Sequence, residues 1–192
     1  KITKIKNGKC INKITGNKIK AIIPVHVFGH PSDIENILLI AKKYKLKVIE
    51  DAAEALVSYY KKKHLGTFGE IGCFSFNGNK IITTGGGGMV VYNKKNLAKK
   101  IKHLTTTAKL KHRWEYIHDE VCFNFRMPNL NAALGVTQLS KFKKILKIKR
   151  KIHKNYYLSL KDSKYYNLMT EKKYEKSNNW LNILRLKNNF ND

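Results

Sequence analysis

The sequence predicts an α/β protein with a mainly parallel sheet, and three consecutive segments carry this prediction. Residues 21–29, AIIPVHVFG, form an apolar, β-branched run that ends in glycine, which is typical of a buried strand. Residues 31–45 repeat apolar side chains at helical spacing, behind Ser32 or Asp33 as candidate N-cap. Residues 46–50, LKVIE, form a second short buried strand. Strand, helix and strand at this spacing make a βαβ unit with a right-handed crossover.

Further elements extend this pattern towards the C-terminus. They are a small hairpin or looped excursion (57–69), a strand (71–76), a strand after four glycines (89–92), a helix (96–104) and helical segments from Pro128 to about Leu160, with one break. Residues 105–127 have no strong period and many polar aromatic side chains, so we predict a long functional loop there. Residues 1–18 are weakly patterned, and the tail after Lys161 contains one short apolar run at 180–186.

Composition limits the class of protein. The chain has 192 residues, of which 42% are hydrophobic and 10% aromatic, as in a globular protein with one domain or one and part of a second. No apolar run approaches the roughly 18–20 residues that span a bilayer, and the opening KITKIKNGKC lacks the apolar stretch of a signal peptide. Three scattered cysteines, Cys10, Cys73 and Cys122, match no metal site. We therefore expect a cytoplasmic protein without a disulfide framework, a metal or a membrane partner.

The net charge of +26 raises nucleic acid as a partner, because clustered Lys and Arg release phosphate counterions. The lysines are instead spread over almost every surface position, beside many Ile and Asn residues, as compositional drift in an AT-rich genome would produce. The densest stretch, residues 141–154, keeps Phe142, Ile145 and Ile148 near helical spacing and predicts an amphipathic helix. We therefore expect no nucleic-acid partner.

Polar side chains follow the predicted strands at their carboxyl ends, where ligands bind in open parallel sheets. His26 lies near the end of the first strand, Asp51 just past the second, and Ser75 and Lys80 at and beyond the third. An acid, a hydroxyl and a lysine then converge on one edge, among glycines that allow close backbone approach. Each also has an ordinary explanation. Asp51 starts DAAEAL, a reasonable helix beginning, Ser75 fits a wet strand face, His26 fits a core histidine, and Lys80 is one lysine among dozens.

Four segments resemble, in order and spacing, the DegT-type family of nucleotide-sugar aminotransferases. They are PVHVFGHPSD, VIEDAAEAL, HLGTFGEIGCFSFNGNKIITTGGGGMVV and NFRMPNLNAALGVTQL, within roughly residues 19–155. The FSFNGNK-to-GGGG segment and HLTTTAK…HRWEYIHDE look most like the branch that makes 4-amino sugars for bacillosamine- or legionaminic-type glycans. The resemblance implies the central part of a pyridoxal-phosphate-dependent transferase of the aspartate aminotransferase type. Its large domain is a three-layer α/β/α structure, here residues 1–148 without its N-terminal portion, and residues 149–192 are the connecting helix and the start of the small C-terminal domain.

The resemblance also implies a pyridoxal 5'-phosphate site. Lys80 matches the lysine that forms a Schiff base with the cofactor and shuttles a proton. Asp51 matches the acid that keeps the pyridine nitrogen protonated, and Ser75 a hydroxyl that binds the cofactor phosphate. Glu54 lies close to the cofactor ring hydroxyl, where many relatives have Gln. Asn124 matches an asparagine that reaches the phosphate of the neighbouring subunit's cofactor, which implies a homodimer with shared active sites.

The expected reaction is a ping-pong transamination in amino-sugar biosynthesis for surface glycans. The resemblance implies glutamate as amino donor and a nucleotide-linked keto sugar as acceptor, with a UDP-4-keto-6-deoxy-hexose derivative as the specific expectation. Relatives that carry His in place of the lysine remove a hydroxyl, so Lys80 favours amine transfer. His26 and Arg126 are weaker candidates for substrate contacts, and Arg126 alternatively holds the loop.

Some features depart from the family pattern. Family members are about twice this long, and residues 1–18 contain neither the Gly-Thr phosphate-binding loop nor the aromatic residue that stacks on the cofactor ring. Val57 also stands where relatives usually have Gly. We therefore expect a fragment of such an enzyme. Two alternatives remain at this point: a non-catalytic remnant that binds a partner subunit or a nucleotide sugar, and a basic nucleic-acid-binding module.

Overall fold

The structure, a computed structural model, describes residues 2–187. The strands are β1 (Thr3–Lys6), β2 (Lys9–Asn12), β3 (Ala21–Ile22), β4 (Lys47–Asp51), β5 (Tyr59–Tyr60), β6 (Lys63–His64), β7 (Ile71–Ser75), β8 (Gly88–Tyr92), β9 (Tyr166–Leu168), β10 (Glu175–Lys176) and β11 (Leu184–Leu186). The helices are α1 (Ile34–Tyr44), α2 (Lys95–Thr105), α3 (Asn129–Ser140) and α4 (Phe142–Leu160), with a 3-10 turn at Val27–Gly29. None of the helices between residues 2 and 187 combines the length and apolar character needed to cross a membrane.

A four-stranded sheet with the order β3-β4-β7-β8 forms the centre of the fold. β3, β4 and β7 are parallel, and α1 is the crossover between the first two. β8 runs antiparallel to β7. The predicted mainly parallel α/β sheet is therefore confirmed, and its parallel strands bring the ends of β4 and β7 to the same edge.

The first predicted strand is shorter than residues 21–29. β3 has two residues, and only an isolated bridge from Val25 to Asp51 continues the parallel ladder. Pro24 has no N–H to donate to a neighbouring strand, and Phe28, at a φ of 56°, turns the chain into the left-handed region. The prediction of one continuous buried strand is wrong in its extent, because the chain leaves the sheet at this turn.

Most of the later predictions are confirmed. Residues 57–69 contain the hairpin of β5 and β6, and β7, β8 and α2 lie where the pattern placed them. The break in the C-terminal helical pattern is at Lys141, between α3 and α4. Residues 105–127 have no helix or strand after Thr105 and are joined by two isolated bridges, so they form the long loop.

Two features were not predicted from the sequence. The weakly patterned start of the chain forms an antiparallel hairpin of β1 and β2. After α4 the chain turns back, and β10 pairs antiparallel with the edge of β5 that faces away from β6. We call residues 174–180 the returning segment. It lies past the predicted domain boundary at 148/149, which falls within the continuous helix α4.

Apolar side chains beneath the ends of β4 and β7 form a small core. Ala52, Ala55, Leu65 and Phe74 are buried together. Gly66 lies against Phe74 at a φ of 84°, and a Cβ there would be 2.5 Å from the phenylalanine ring. Because only glycine fits this position, the loop between β6 and β7 packs closely under the edge of the sheet.

Candidate active site

Asp51 is the last residue of β4 and lies opposite Cys73 of β7. One carboxylate oxygen accepts the N–H of Ala53 at 3.1 Å, which forms a tight turn in which no helix begins. The helix-start explanation of Asp51 therefore does not hold. The other oxygen has no hydrogen-bond partner within residues 2–187. Burial raises the pKa of the Cys73 thiol, and the negative charge of Asp51 raises it further.

Ser75 ends β7 and leads into the turn that carries the predicted lysine. Its hydroxyl oxygen accepts the N–H of Asn77 at 3.3 Å. The N–H of Lys80 then donates to the carbonyl of Asn77 at 3.0 Å. This turn brings Lys80 back towards the sheet edge.

The side chain of Lys80 lies inside the molecule. It is 13% exposed, whereas the lysines of the surface ion pairs, Lys47, Lys61, Lys94, Lys100 and Lys161, are 47–58% exposed. Its Nζ is 3.4 Å from Oε1 of Glu54. The other oxygen of Glu54 accepts the N–H of Phe28 at 2.6 Å. Glu54 thus joins the turn after β3 to the lysine. We call Asp51, Glu54, Ser75 and Lys80 the sheet-edge cluster.

His26 is fully buried and both its ring nitrogens are bonded. The N–H of Ser32 donates to Nδ1 at 3.1 Å, so Nε2 carries the proton and donates to Glu50 at 2.9 Å. These bonds leave no polar atom of the ring for a substrate. We therefore assign His26 a structural role in place of the substrate contact considered from sequence.

Glu50 is a buried residue that the sequence analysis did not single out. Besides His26, it accepts the backbone N–H groups of Gly66 at 2.7 Å and Gly69 at 2.6 Å. Burial raises the pKa of Glu50, but the hydrogen bonds from His26, Gly69 and Gly66 outweigh it and lower the pKa overall. Glu50 lies on the same face of β4 as buried Val48, and this period of two was the available signal.

Asn124 and Arg126 lie in the long loop and are exposed. The side-chain oxygen of Asn124 accepts the backbone N–H of Arg126 at 3.4 Å. Arg126 lines an open, basic groove with Lys102, Lys109 and Arg113. Within residues 2–187, no hydrogen bond or ion pair joins either residue to the sheet-edge cluster. In the single chain Lys80 and Glu54 are in contact, Asp51 and Ser75 end the adjacent strands β4 and β7, and the two loop residues lie outside this group.

The returning segment supplies a side chain that the sequence analysis missed. The Trp180 ring is buried, and its centroid lies 4.3 Å from Nζ of Lys80. Its indole N–H donates to the carbonyl of Asn79 at 2.7 Å. Local patterning showed an apolar run at this position but carried no information about a partner 101 residues away.

One group of potential metal ligands lies within the described residues. The ligand atoms of His103, Asp119 and Glu120 are within 4.8 Å of one another. His103 is bonded to Asp119, and Glu120 to Lys100, and both acids are exposed. These pairs account for the arrangement as surface ion pairs.

Comparison with known protein families shows the family of this chain. The model of the DegT/DnrJ/EryC1/StrS aminotransferase family matches residues 2–192, and the chain belongs to this family. The fold is accordingly that of the α/β large domain of these aminotransferases, whose cofactor is pyridoxal phosphate.

Three relatives are named for, or described as part of, amino-sugar synthesis. GDP-perosamine synthase of Escherichia coli O157:H7 is 51% identical over 140 residues, 73% of this chain and 38% of that protein. UDP-4-amino-4,6-dideoxy-N-acetyl-beta-L-altrosamine transaminase of Campylobacter jejuni is 36% identical over 164 residues, 85% of this chain and 44% of that protein. Helicobacter pylori PseC, an aminotransferase in pseudoaminic acid biosynthesis, superposes with a TM-score of 0.83 at 31% identity, over 89% of this chain and 46% of that one. The chain thus spans less than half the length of each.

The sheet-edge cluster has the groups that this cofactor requires. Lys80 offers a sheltered amine, Asp51 a carboxylate oxygen with no partner in the described part of the chain, and Ser75 a hydroxyl at the end of the adjacent strand. An amine for covalent attachment, an acid for the ring nitrogen and a hydroxyl for the phosphate are the complementary set. The residues present therefore fit the cofactor.

Proposed function

We propose that the protein containing this chain is a pyridoxal-phosphate-dependent aminotransferase that acts on a nucleotide-linked keto sugar. The observation that carries the proposal is the position of Lys80. Its side chain is sheltered at a sheet edge and its amine is 3.4 Å from Glu54, whereas the other ion-paired lysines among residues 2–187 lie on the surface. Family membership supports the proposal, because the relatives described above are enzymes of amino-sugar synthesis.

Each residue of the cluster has a proposed part in the reaction. Pyridoxal phosphate, when bound, supplies the electron sink for bond changes at the amino-bearing carbon. The Lys80 amine holds the cofactor and carries the proton removed from Cα of the amino donor. Asp51 keeps a proton at the cofactor's ring nitrogen, and Ser75 binds its phosphate. Glu54, at 3.4 Å, orients the Lys80 amine and lies near the ring hydroxyl.

The loop residues act in a second copy of the chain in this proposal. Asn124 reaches the phosphate of the neighbouring subunit's cofactor, and Arg126 contacts the substrate there. The exposure of both residues supports this role, since they meet none of the cluster within their own chain. Apolar side chains of the loop and of α3 are also exposed, including Phe123, Phe125 and Leu130. A homodimer would bury them.

The specific substrates are proposals as well. We propose glutamate as amino donor and a UDP-4-keto-6-deoxy-hexose derivative as acceptor, in cytoplasmic amino-sugar synthesis for surface glycans. The name of the Campylobacter relative supports the 4-amino-sugar branch. The name of the Escherichia relative contains GDP, so GDP is the alternative to UDP as the nucleotide of the substrate. Glutamate should bleach the absorbance of the loaded protein, and a UDP- or GDP-linked 4-keto sugar should restore it.

The first test is cofactor binding. Adding pyridoxal phosphate to the chain should give the near-visible absorbance band of a lysine-bound cofactor. Lys80→Ala should abolish this band, because its amine forms the bond, while Lys42→Ala, on the exposed face of α1, should leave it unchanged. Borohydride reduction followed by peptide mapping should place the cofactor on Lys80.

The outcome distinguishes the aminotransferase from the non-catalytic binding protein. If the folded chain never forms the band, the chain does not bind the cofactor by itself and the non-catalytic binding function takes its place. If the band forms and persists in Lys80→Ala, another lysine holds the cofactor and the assignment of the site is wrong.

A further inference from the structure

Trp180 is the closest aromatic neighbour of the Lys80 amine among the contacts of residues 2–187. Its ring centroid lies 4.3 Å from Nζ, well within the range of a cation–π contact. Lys80 is 13% exposed and the tryptophan is 6% exposed, so little water reaches the contact. The amine therefore lies between an aromatic face and the carboxylate of Glu54.

Other lysine–aromatic contacts in the chain are of a different kind. Lys43 lies 5.5 Å from the ring of Tyr44, its neighbour in sequence, and Lys61 lies 5.6 Å from the exposed ring of Tyr174. Lys109 lies closer, 3.6 Å from the ring of Tyr116, but that ring is 80% exposed. These are contacts at the surface, which a lysine-rich chain makes without any function. The contact of Lys80 differs because it is buried and made across 100 residues of sequence.

The tryptophan is held from several directions. Its indole N–H donates to the carbonyl of Asn79, the residue before Lys80, at 2.7 Å. Its backbone N–H donates to the side-chain oxygen of Asn178 at 2.9 Å. The amide group of fully buried Asn178 donates in turn to the carbonyls of Glu54 at 2.7 Å and Leu56 at 3.0 Å. The returning segment thus fixes both the backbone at Lys80 and the backbone at its carboxylate partner.

We propose that Trp180 is a positioning residue for Lys80. Its ring covers the amine and holds it at the sheet edge beside Glu54, and its N–H fixes the turn from which the lysine projects. The consequence for cofactor binding rests on the function proposed above. The placement of the amine does not, because the contacts are made by the chain alone.

The test measures the accessibility of individual lysines without cofactor. The chain is acylated briefly with a lysine reagent, and labelling of each lysine is mapped by mass spectrometry. Trp180→Leu should raise labelling of Lys80 about tenfold, the order expected for loss of a desolvated cation–π contact. Trp180→Phe keeps an aromatic face without the N–H and should raise it about two- to threefold. Labelling of Lys43 and Lys61 serves as the internal reference and should not change.

Cofactor affinity gives the second readout. Trp180→Leu should weaken pyridoxal phosphate binding, as judged by titration of the absorbance band, because an amine that is no longer held at the sheet edge lies less often within reach of the cofactor. Tyr44→Leu, which removes the ring of a surface contact, should change neither readout. If labelling of Lys80 in the folded Trp180→Leu variant stays at the wild-type level, the proposal is wrong. If that variant does not fold, labelling of Lys80 in Trp180→Phe decides in the same way. A wild-type chain that forms no band overturns the proposed function, while the labelling result still decides the role of Trp180.

Discussion

The sheet edge and the long loop differ in the kind of side chain that each buries or exposes. At the sheet edge, polar groups lie inside: His26 and Glu50 are fully buried, and Lys80 is mostly covered. In the long loop, apolar groups lie outside: Phe123 and Phe125 stack on each other and are 64% and 70% exposed. Both arrangements cost free energy unless each group finds its partner.

The difference shows where the partners are. Within the described chain, each buried nitrogen of His26 and each oxygen of Glu50 has a hydrogen-bond partner. The aromatic pair of the loop is stacked and remains mostly exposed. The buried network of His26 and Glu50 is therefore satisfied within one chain, whereas the loop exposes apolar surface that a second chain could cover. Four variants or conditions test this contrast.

The largest expected effect is at Glu50. Glu50→Gln replaces an acceptor of three N–H groups with a side chain whose own NH2 meets one of those donors. We expect the free energy of unfolding in urea to fall by about 3 kcal/mol. Glu70→Gln, at a surface ion pair with Lys47, should lose at most about 0.5 kcal/mol. Equal losses in both variants would contradict a self-sufficient sheet edge.

Acid should weaken the same buried network. The pKa of Glu50 is lowered in the folded protein, so its contribution to stability is fully present above the unfolded value of about 4.3. The contribution is lost as the pH falls through the lowered folded value, because the unfolded chain then binds the proton more readily. The stability gap between wild type and Glu50→Gln should therefore narrow as the pH falls from 7 to 3. A constant gap would show that Glu50 does not titrate with folding.

In the loop, substitution should affect association and leave folding unchanged. Phe123→Ser removes half of the exposed aromatic pair. The free energy of unfolding of the monomer should change by less than about 0.5 kcal/mol. The proposed dimer should be weakened by about 2 kcal/mol, roughly thirtyfold in Kd by sedimentation. Ile14→Ser, at an exposed residue beside the β1–β2 hairpin, is the control and should affect neither. If Phe123→Ser unfolds the monomer, the loop packs on its own chain.

The smallest effect is expected at Val57. This β-branched residue has a φ of 59°, in the left-handed region that its side chain disfavours. Val57→Gly should be more stable than Val57→Ala by about 1 kcal/mol, because only glycine removes the Cβ conflict. Thermal unfolding of the two variants measures the difference. A more stable alanine variant would show that the turn relaxes without cost.

The sequence predicted the elements whose signals are local. The βαβ unit, the α3–α4 break and the long loop follow from periodicity and breakers, and the sheet edge follows from parallel strands. Only the resemblance to the family predicted that Lys80 and Glu54 both lie at the cofactor, since neither residue has a distinguishing pattern of its own. Val57 was noted as a departure from glycine, and its positive φ gives the physical reason.

The remaining features depend on distant contacts. β3 ends early because Pro24 and the turn at Phe28 interrupt the ladder, which the apolar run concealed. Trp180 and Asn178 bond to residues more than 100 positions away, and a short polar segment such as SNNW has no periodicity that reveals this. The burial of Glu50 was detectable from its place on the same face as Val48.

The bond from Asn178 to Glu54 also has a consequence for how the molecule is made. It spans 124 residues of chain, so the strands around Lys80 leave the ribosome long before Trp180 does. Loop closure over that distance is entropically costly and slow compared with pairing of neighbouring strands. Covering of the lysine is therefore a late event of folding. Until the returning segment has docked, the Lys80 amine of a nascent chain is open to solvent. Docking of this segment is the step that covers the lysine.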